Sequence, residues 1–314
     1  MNENDRTLAR VNPGYFAYYV SGGTYQRPRH IQFLERKLRH VALGQIRRLI
    51  VNMPPRHGKS ELISRYFPAW YLGSNPDNRV ILTTYADAFA QTWGRQVRNL
   101  LLEHGPHIFP VNVAADSAAV DRWDIAGHRG GMVAAGIGGQ ITGKGANVLI
   151  IDDPVKDAQE AHSPTIQQRN LDWFQSVAKT RLEPGGSIVI LMTRWHVNDL
   201  AGMLTTPAIS EDAHTWEVVN LPALAVDGDP LGREPGAALW PERFDVPALQ
   251  EIRAGGARWF ETQYQQNPTV ESEAALWRRQ WIKYVPVSER DRILKDAKRI
   301  VVGIDPAVTS TEHS

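Results

Sequence analysis

Residues 51–60 read VNMPPRHGKS. An apolar, strand-like run at 49–53 passes through two prolines into Gly58, Lys59 and Ser60, and an amphipathic helical pattern follows from Glu61. Strand, loop and helix in this order are the context of a phosphate-binding loop. Backbone N–H groups and the helix N-terminus converge on an anion there, and the lysine reaches the β- and γ-oxygens of a nucleotide. Ser60 is placed to set its hydroxyl on Mg2+, and Gly58 lets the backbone approach closely. The consensus opens with a glycine where this chain has Met53, and Pro54 and Pro55 stiffen the loop instead. A surface turn is the competing reading of the tripeptide GKS. On the first reading Arg56, His57, Gly58, Lys59, Ser60 and Glu61 form the nucleotide-binding set, with ATP and Mg2+ as its ligands. Arg56 can offset charge that develops on the γ-phosphate during transfer; its alternative is a solvated arginine.

Outward from the loop, short apolar β-branched runs recur at 80–84, 148–151, 188–192, 216–221 and 300–304. Near-continuous apolar character marks strands buried on both faces. Amphipathic stretches at 61–72, 86–103 and 164–182 alternate with them, so the fold class is α/β, a mainly parallel sheet flanked by helices. Residues 147–154, NVLIIDDP, bring two carboxylates to the C-terminal end of a strand, the edge where open α/β sheets place their chemistry. Asp152 is expected beside the Mg2+ ion and Asp153 to orient the attacking water, against a capping role for both in an Asp-Pro turn. Residues 192–196, MTRWH, end another strand. Thr193 is the candidate to sense the γ-phosphate there, against the ordinary strand preference of threonine, while His196 reads as structural. The glycine-rich loop 136–146 carries Lys144, which could reach DNA or the nucleotide of a neighbouring subunit.

Composition narrows the rest. The 314 residues are 42% hydrophobic and 22% charged, which excludes a disordered or fibrous chain. Cysteine is absent, so thiolate metal sites and disulfides are excluded and a reducing compartment is expected. No window approaches the roughly 18 apolar residues of a membrane span. A net charge of +1 does not by itself point to nucleic acid. Basic clusters at Arg27, Arg29, His30, Arg36, Lys37 and Arg39, at Arg47 and Arg48, and at Arg278, Arg279 and Lys283, read as solvated faces. The texture changes at about residue 221, which sets expected boundaries of 1–221 for an ATPase domain, 222–295 for a linker subdomain and 296–314 for the start of a domain cut short.

Taken in order, MPPRHGKS, LIIDDP and MTRWH, followed by WFETQYQQNP at 259–268, resemble the large terminase subunits of tailed phages. The resemblance implies an additional-strand, RecA-like P-loop ATPase joined to a ribonuclease H-like nuclease. It implies ATP-driven translocation of double-stranded DNA into a procapsid, with a terminase small subunit and the portal protein as partners. The working form would be a homo-oligomeric ring in the cytoplasm of the infected bacterial host, with no membrane contact. It places the reading of adenine at Gln32, whose alternative is a helix-surface glutamine. Asp305, in VVGIDPA, takes the place of the first metal-binding carboxylate of the nuclease. The remaining nuclease carboxylates would lie beyond Ser314, so this chain alone is not expected to cut DNA. A helicase-like, nucleic-acid-dependent ATPase and an inactive prophage remnant are the alternatives.

Overall fold

The computed structural model describes residues 3–139, 141, 145–268 and 289. The chain divides into two compact units, Met1–Val270 and Glu271–Ser314, and the described residues other than Glu289 fall in the first. Lys144, the basic residues Arg278, Arg279 and Lys283, the strand expected at 300–304, Asp305 and the boundary at 295 lie outside the described residues.

Three helices come first, α1 (Glu3–Val11), α2 (Pro13–Val20) and α3 (Arg29–Ala42). Strand β1 (Arg48–Asn52) leads into the loop, after which a π-helical turn (Glu61–Tyr66) runs directly into α4 (Phe67–Ser74). Then come β2 (Arg79–Thr84), α5 (Asp87–Ile108), β3 (Val113–Ala118), β4 (Arg122–Ile125), β5 (Gly131–Gly136) and β6 (Ala146–Asp152). The short α6 (Ala158–Ala161) and α7 (Pro164–Trp173) precede β7 (Leu182–Met192), α8 (Leu200–Thr205) and β8 (Glu217–Asn220).

The eight strands form one sheet in the order β3-β4-β5-β2-β6-β7-β1-β8. From β5 to β8 every pairing is parallel, and β3 and β4 extend the edge as an antiparallel meander. The side-chain period of two divides the central strands between two cores. Leu49, Val51, Leu82, Val148, Ile150, Val189 and Leu191 face α1 to α5. Ile50, Ile81, Leu149, Ile151, Ile188, Ile190 and Met192 face α7 and α8. Helices on both faces force both sides of each strand to be apolar, which is why these strands read as unbroken hydrophobic runs. Strand β7 lies between β1 and β6, so the fold is an additional-strand, RecA-like P-loop sheet.

The segment after residue 221 has a small core of its own, built from Ala223, Leu224, Ala238, Leu249 and Phe260. It contains α9 (Val246–Gly255) and α10 (Ala257–Trp259), the latter followed by a π-helical turn (Phe260–Tyr264). The buried pair Arg233 and Asp229, 2.6 Å apart, closes its loop, and the same guanidinium donates to the Pro222 carbonyl at 2.9 Å.

Candidate active site

The site stands at the C-terminal ends of β1, β7 and β6. Met53 continues β1 by donating to Met192 O at 3.1 Å, and it is fully buried where the consensus loop has glycine. Reversal of the chain falls instead on Arg56 and Gly58, at φ +59° and +88°. A Cβ on Gly58 would stand 3.3 Å from Ile31 Cδ1, so this position needs glycine for both conformation and space.

Because β7 intervenes, the side chains from β1 and β6 meet across the end of a third strand. Lys59 Nζ donates to Thr193 Oγ1 at 2.9 Å and lies 3.7 Å from Asp153 Oδ2. Asp153 has left-handed backbone, φ +43°, and its Oδ1 accepts the Thr193 amide at 3.0 Å. Thr193 Oγ1 in turn donates to Met53 O at 3.3 Å. Asp152 is fully buried and accepts from Ser60 Oγ at 3.1 Å and Ser64 Oγ at 2.7 Å. Burial, and then the neighbouring charge of Asp153, push the Asp152 carboxyl up to about 7, although the two serines and Lys59 oppose the shift. A hard dication beside Ser60 Oγ and Asp152 would relieve that penalty, and an all-oxygen donor set suits Mg2+. These residues therefore fit the metal.

A cavity of about 990 Å3 opens beside the loop, walled by Arg56, Gly58, Lys59, Ser60 and Glu61 at one part and by Tyr25 and Gln26 at another. Glu61 is held by an ion pair with Arg65. Asp152, Asp153 and Thr193 are joined to this cavity through Lys59 and Ser60. Two expected nucleotide contacts are placed elsewhere. Gln32 is exposed on α3, outside the cavity wall, and its amide donates to Arg27 O at 2.7 Å. His57 is fully buried, donates from Nδ1 to Pro55 O at 2.8 Å and stacks on Phe244 with centroids 4.9 Å apart. It braces the loop from behind. His196 Nδ1 accepts from Asn198 N at 3.0 Å and contacts Gln167 Nε2 at 3.1 Å, which is a structural arrangement.

Sequence reasoning missed Ser64, Gln26 and the aromatic turn at 240–244. Ser64 carried a usable signal, since four residues after Ser60 put it on the same helical face. Gln26 carried none. Beyond Thr193, Arg194 N donates to Gln266 Oε1 at 3.0 Å, and Arg194 Nε donates to the buried Asp199 carboxylate at 2.8 Å.

The sequence profile described as "Terminase large subunit, T4likevirus-type, N-terminal" matches residues 50–284. A solved mutant of the Thermus Phage P74-26 large terminase ATPase domain is similar at a TM-score of 0.51 and 14% identity, over 82% of this chain and 100% of that one. The bacteriophage HK97 large terminase is similar at a TM-score of 0.49 and 12% identity, over 74% of this chain and 50% of its own. No curated protein sequence matches the chain. With a family profile spanning well over half of its residues, the chain belongs to the large terminase subunit family.

Proposed function

We propose that the chain hydrolyses ATP with Mg2+ and that the hydrolysis drives double-stranded viral DNA into a procapsid. The observation that carries this reading is the contact set at the three strand ends: Lys59 on Thr193 and Asp153, and Ser60 on Asp152, beside a cavity large enough for a nucleotide.

In this reading the phosphates bind at the loop and the start of its helix, where backbone N–H groups and the helix dipole favour an anion. Ser60 and Asp152 would hold Mg2+, which when bound would supply positive charge against the phosphate oxygens. Lys59 leaves Thr193 and Asp153 for the β- and γ-oxygens. Asp153, still oriented by the Thr193 amide, is then free to position and polarise the attacking water. Arg56 offsets charge on the γ-phosphate, within its own subunit or across a ring; Lys144 is the other candidate for action between subunits. On loss of the γ-phosphate Lys59 returns to Thr193, and the change is felt at Arg194 and Gln266.

DNA contacts go to phosphates, because packaging tolerates any sequence. The full-length protein would also cleave DNA, with Asp305 the first metal-binding carboxylate of its nuclease. The small subunit and the portal are its partners in the host cytoplasm; among the described residues no helix is long and apolar enough to cross a membrane.

The test is Mg2+-dependent ATP hydrolysis with and without duplex DNA. Lys59→Ala and Asp153→Asn are each expected to lower turnover by on the order of 100-fold or more. Unchanged turnover in both variants would remove the reading.

A further inference from the structure

One cation on the cavity wall has no part in the scheme above. Arg243 belongs to the segment ALWPERF, residues 238–244, and lines the same cavity as Arg56, Lys59 and Ser60. Its backbone is locked: the Arg243 and Phe244 amides both donate to Trp240 O, at 3.0 and 2.8 Å, closing a tight turn. Both ends of that turn are fixed to the phosphate loop and the helix beside it. Trp240 is almost fully buried, with its ring 5.3 Å from that of His30 and within 3.7 Å of the place a Gly58 Cβ would occupy. Phe244 lies flat on His57, the residue before Gly58, at an interplanar angle of 18°. The arginine between these anchors stands 5.2 Å from the Trp240 ring centroid, and no carboxylate among the described residues pairs with it. Arg65 on the same wall is already neutralised by Glu61. A guanidinium with no carboxylate partner among the described residues, carried on the cavity wall by a turn that the buried Trp240 and the half-buried Phe244 anchor, is placed to receive an anion.

We propose that Arg243 is a nucleotide ligand, its guanidinium binding the phosphate tail of the nucleotide held by Lys59 and Ser60. The 222–268 segment then supplies part of the nucleotide site itself. Arg243 and Lys59 grip the same phosphates from two parts of the chain. This rests on the ATP reading above.

The test is equilibrium binding of ATP, ADP and adenosine to the whole chain, comparing Arg243→Ala, Arg243→Lys and Lys59→Ala with the unsubstituted protein. Loss of a charge-assisted contact is expected to weaken ATP and ADP binding roughly 10- to 100-fold in Arg243→Ala. Adenosine binding should be unchanged, and Arg243→Lys should recover part of the loss, because a lysine keeps the charge without the planar fork. The melting midpoint without nucleotide should match the unsubstituted protein, since Trp240 and Phe244 make the packing. ATP bound normally by Arg243→Ala but weakly by Lys59→Ala would overturn the proposal and leave the ATP reading standing. Equal weakening of adenosine and ATP, or a lowered midpoint without nucleotide, would also overturn it, by showing a structural role. Failure of the unsubstituted chain to bind ATP would remove both.

Discussion

His57 is held as a single tautomer. A carbonyl can only accept, so the contact with Pro55 O puts the ring proton on Nδ1, and Nε2 is left buried with no partner among the described residues. A second proton would be a buried charge, and burial accordingly holds His57 and His30 down at about 4, against an ordinary 6.5. Between those values the unfolded chain binds protons that the native chain refuses. The stability tied to these two rings is complete above about pH 6.5 and is lost as pH falls through about 4. The urea midpoint should therefore drop between about pH 7 and about pH 5. His57→Phe, which keeps an aromatic ring against Phe244, should make the drop shallower; identical pH slopes would take His57 out of the account. Lys59, Ser60, Asp152, Asp153 and Thr193 were legible in the sequence because each ends a strand or opens a helix, so type and position coincide. Gln26 and Arg243 were not, because what brings them to the cavity is packing between segments far apart in the chain. Gln32 looked equivalent to its neighbours on a helix, and only the helix's orientation shows that it faces away.

Strand β7 does more than complete the sheet. It separates β1 from β6, and Thr193, the residue just past its end, carries both the hydroxyl that Lys59 meets and the amide that aims Asp153. The next amide, Arg194 N, is tied to Gln266, which is buried, has φ +55° and gives its own Nε2 proton to Gln263 O. Gln266→Leu leaves that half-buried amide without its acceptor and should cost about 1 kcal/mol, read as a lower denaturation midpoint. No change would mean that the strand end is held by Asp199 alone. Strands packed on both faces could be found from their apolar runs, as at 49–53 and 148–151. The β3 to β5 meander could not: only the first residue of β3, sequence VAADSA, is buried, and β5 begins and ends in glycine. The stretch 164–182 read as one helix, but α7 ends at Trp173 and a π-helical turn (Phe174–Ala178) and a 3-10 turn (Lys179–Arg181) finish it. Strand β7 then starts earlier than its apolar core suggests, passing through Pro184, Gly185 and Gly186, with Gly185 at φ +83°.

At the scale of the whole molecule, the proposed packaging motor would have to join a nucleotide cycle to a grip on DNA. If the grip is made to phosphates, hydrolysis should be stimulated more by duplex than by single-stranded DNA, and the stimulation should fade steeply as salt rises through counterion release. Stronger stimulation by single strands would favour a helicase-like activity. The contact between the 240–244 turn and the phosphate loop is of another kind. It is made by Trp240 against His30 on α3 and by Phe244 against His57 of the loop, both imidazoles uncharged, and no ion pair among the described residues crosses it for salt to screen. On the proposed reading ionic strength would then act as a clutch: rising salt would release the track while the turn stays engaged with the loop, and lowering it would let the intact gearing take up load again.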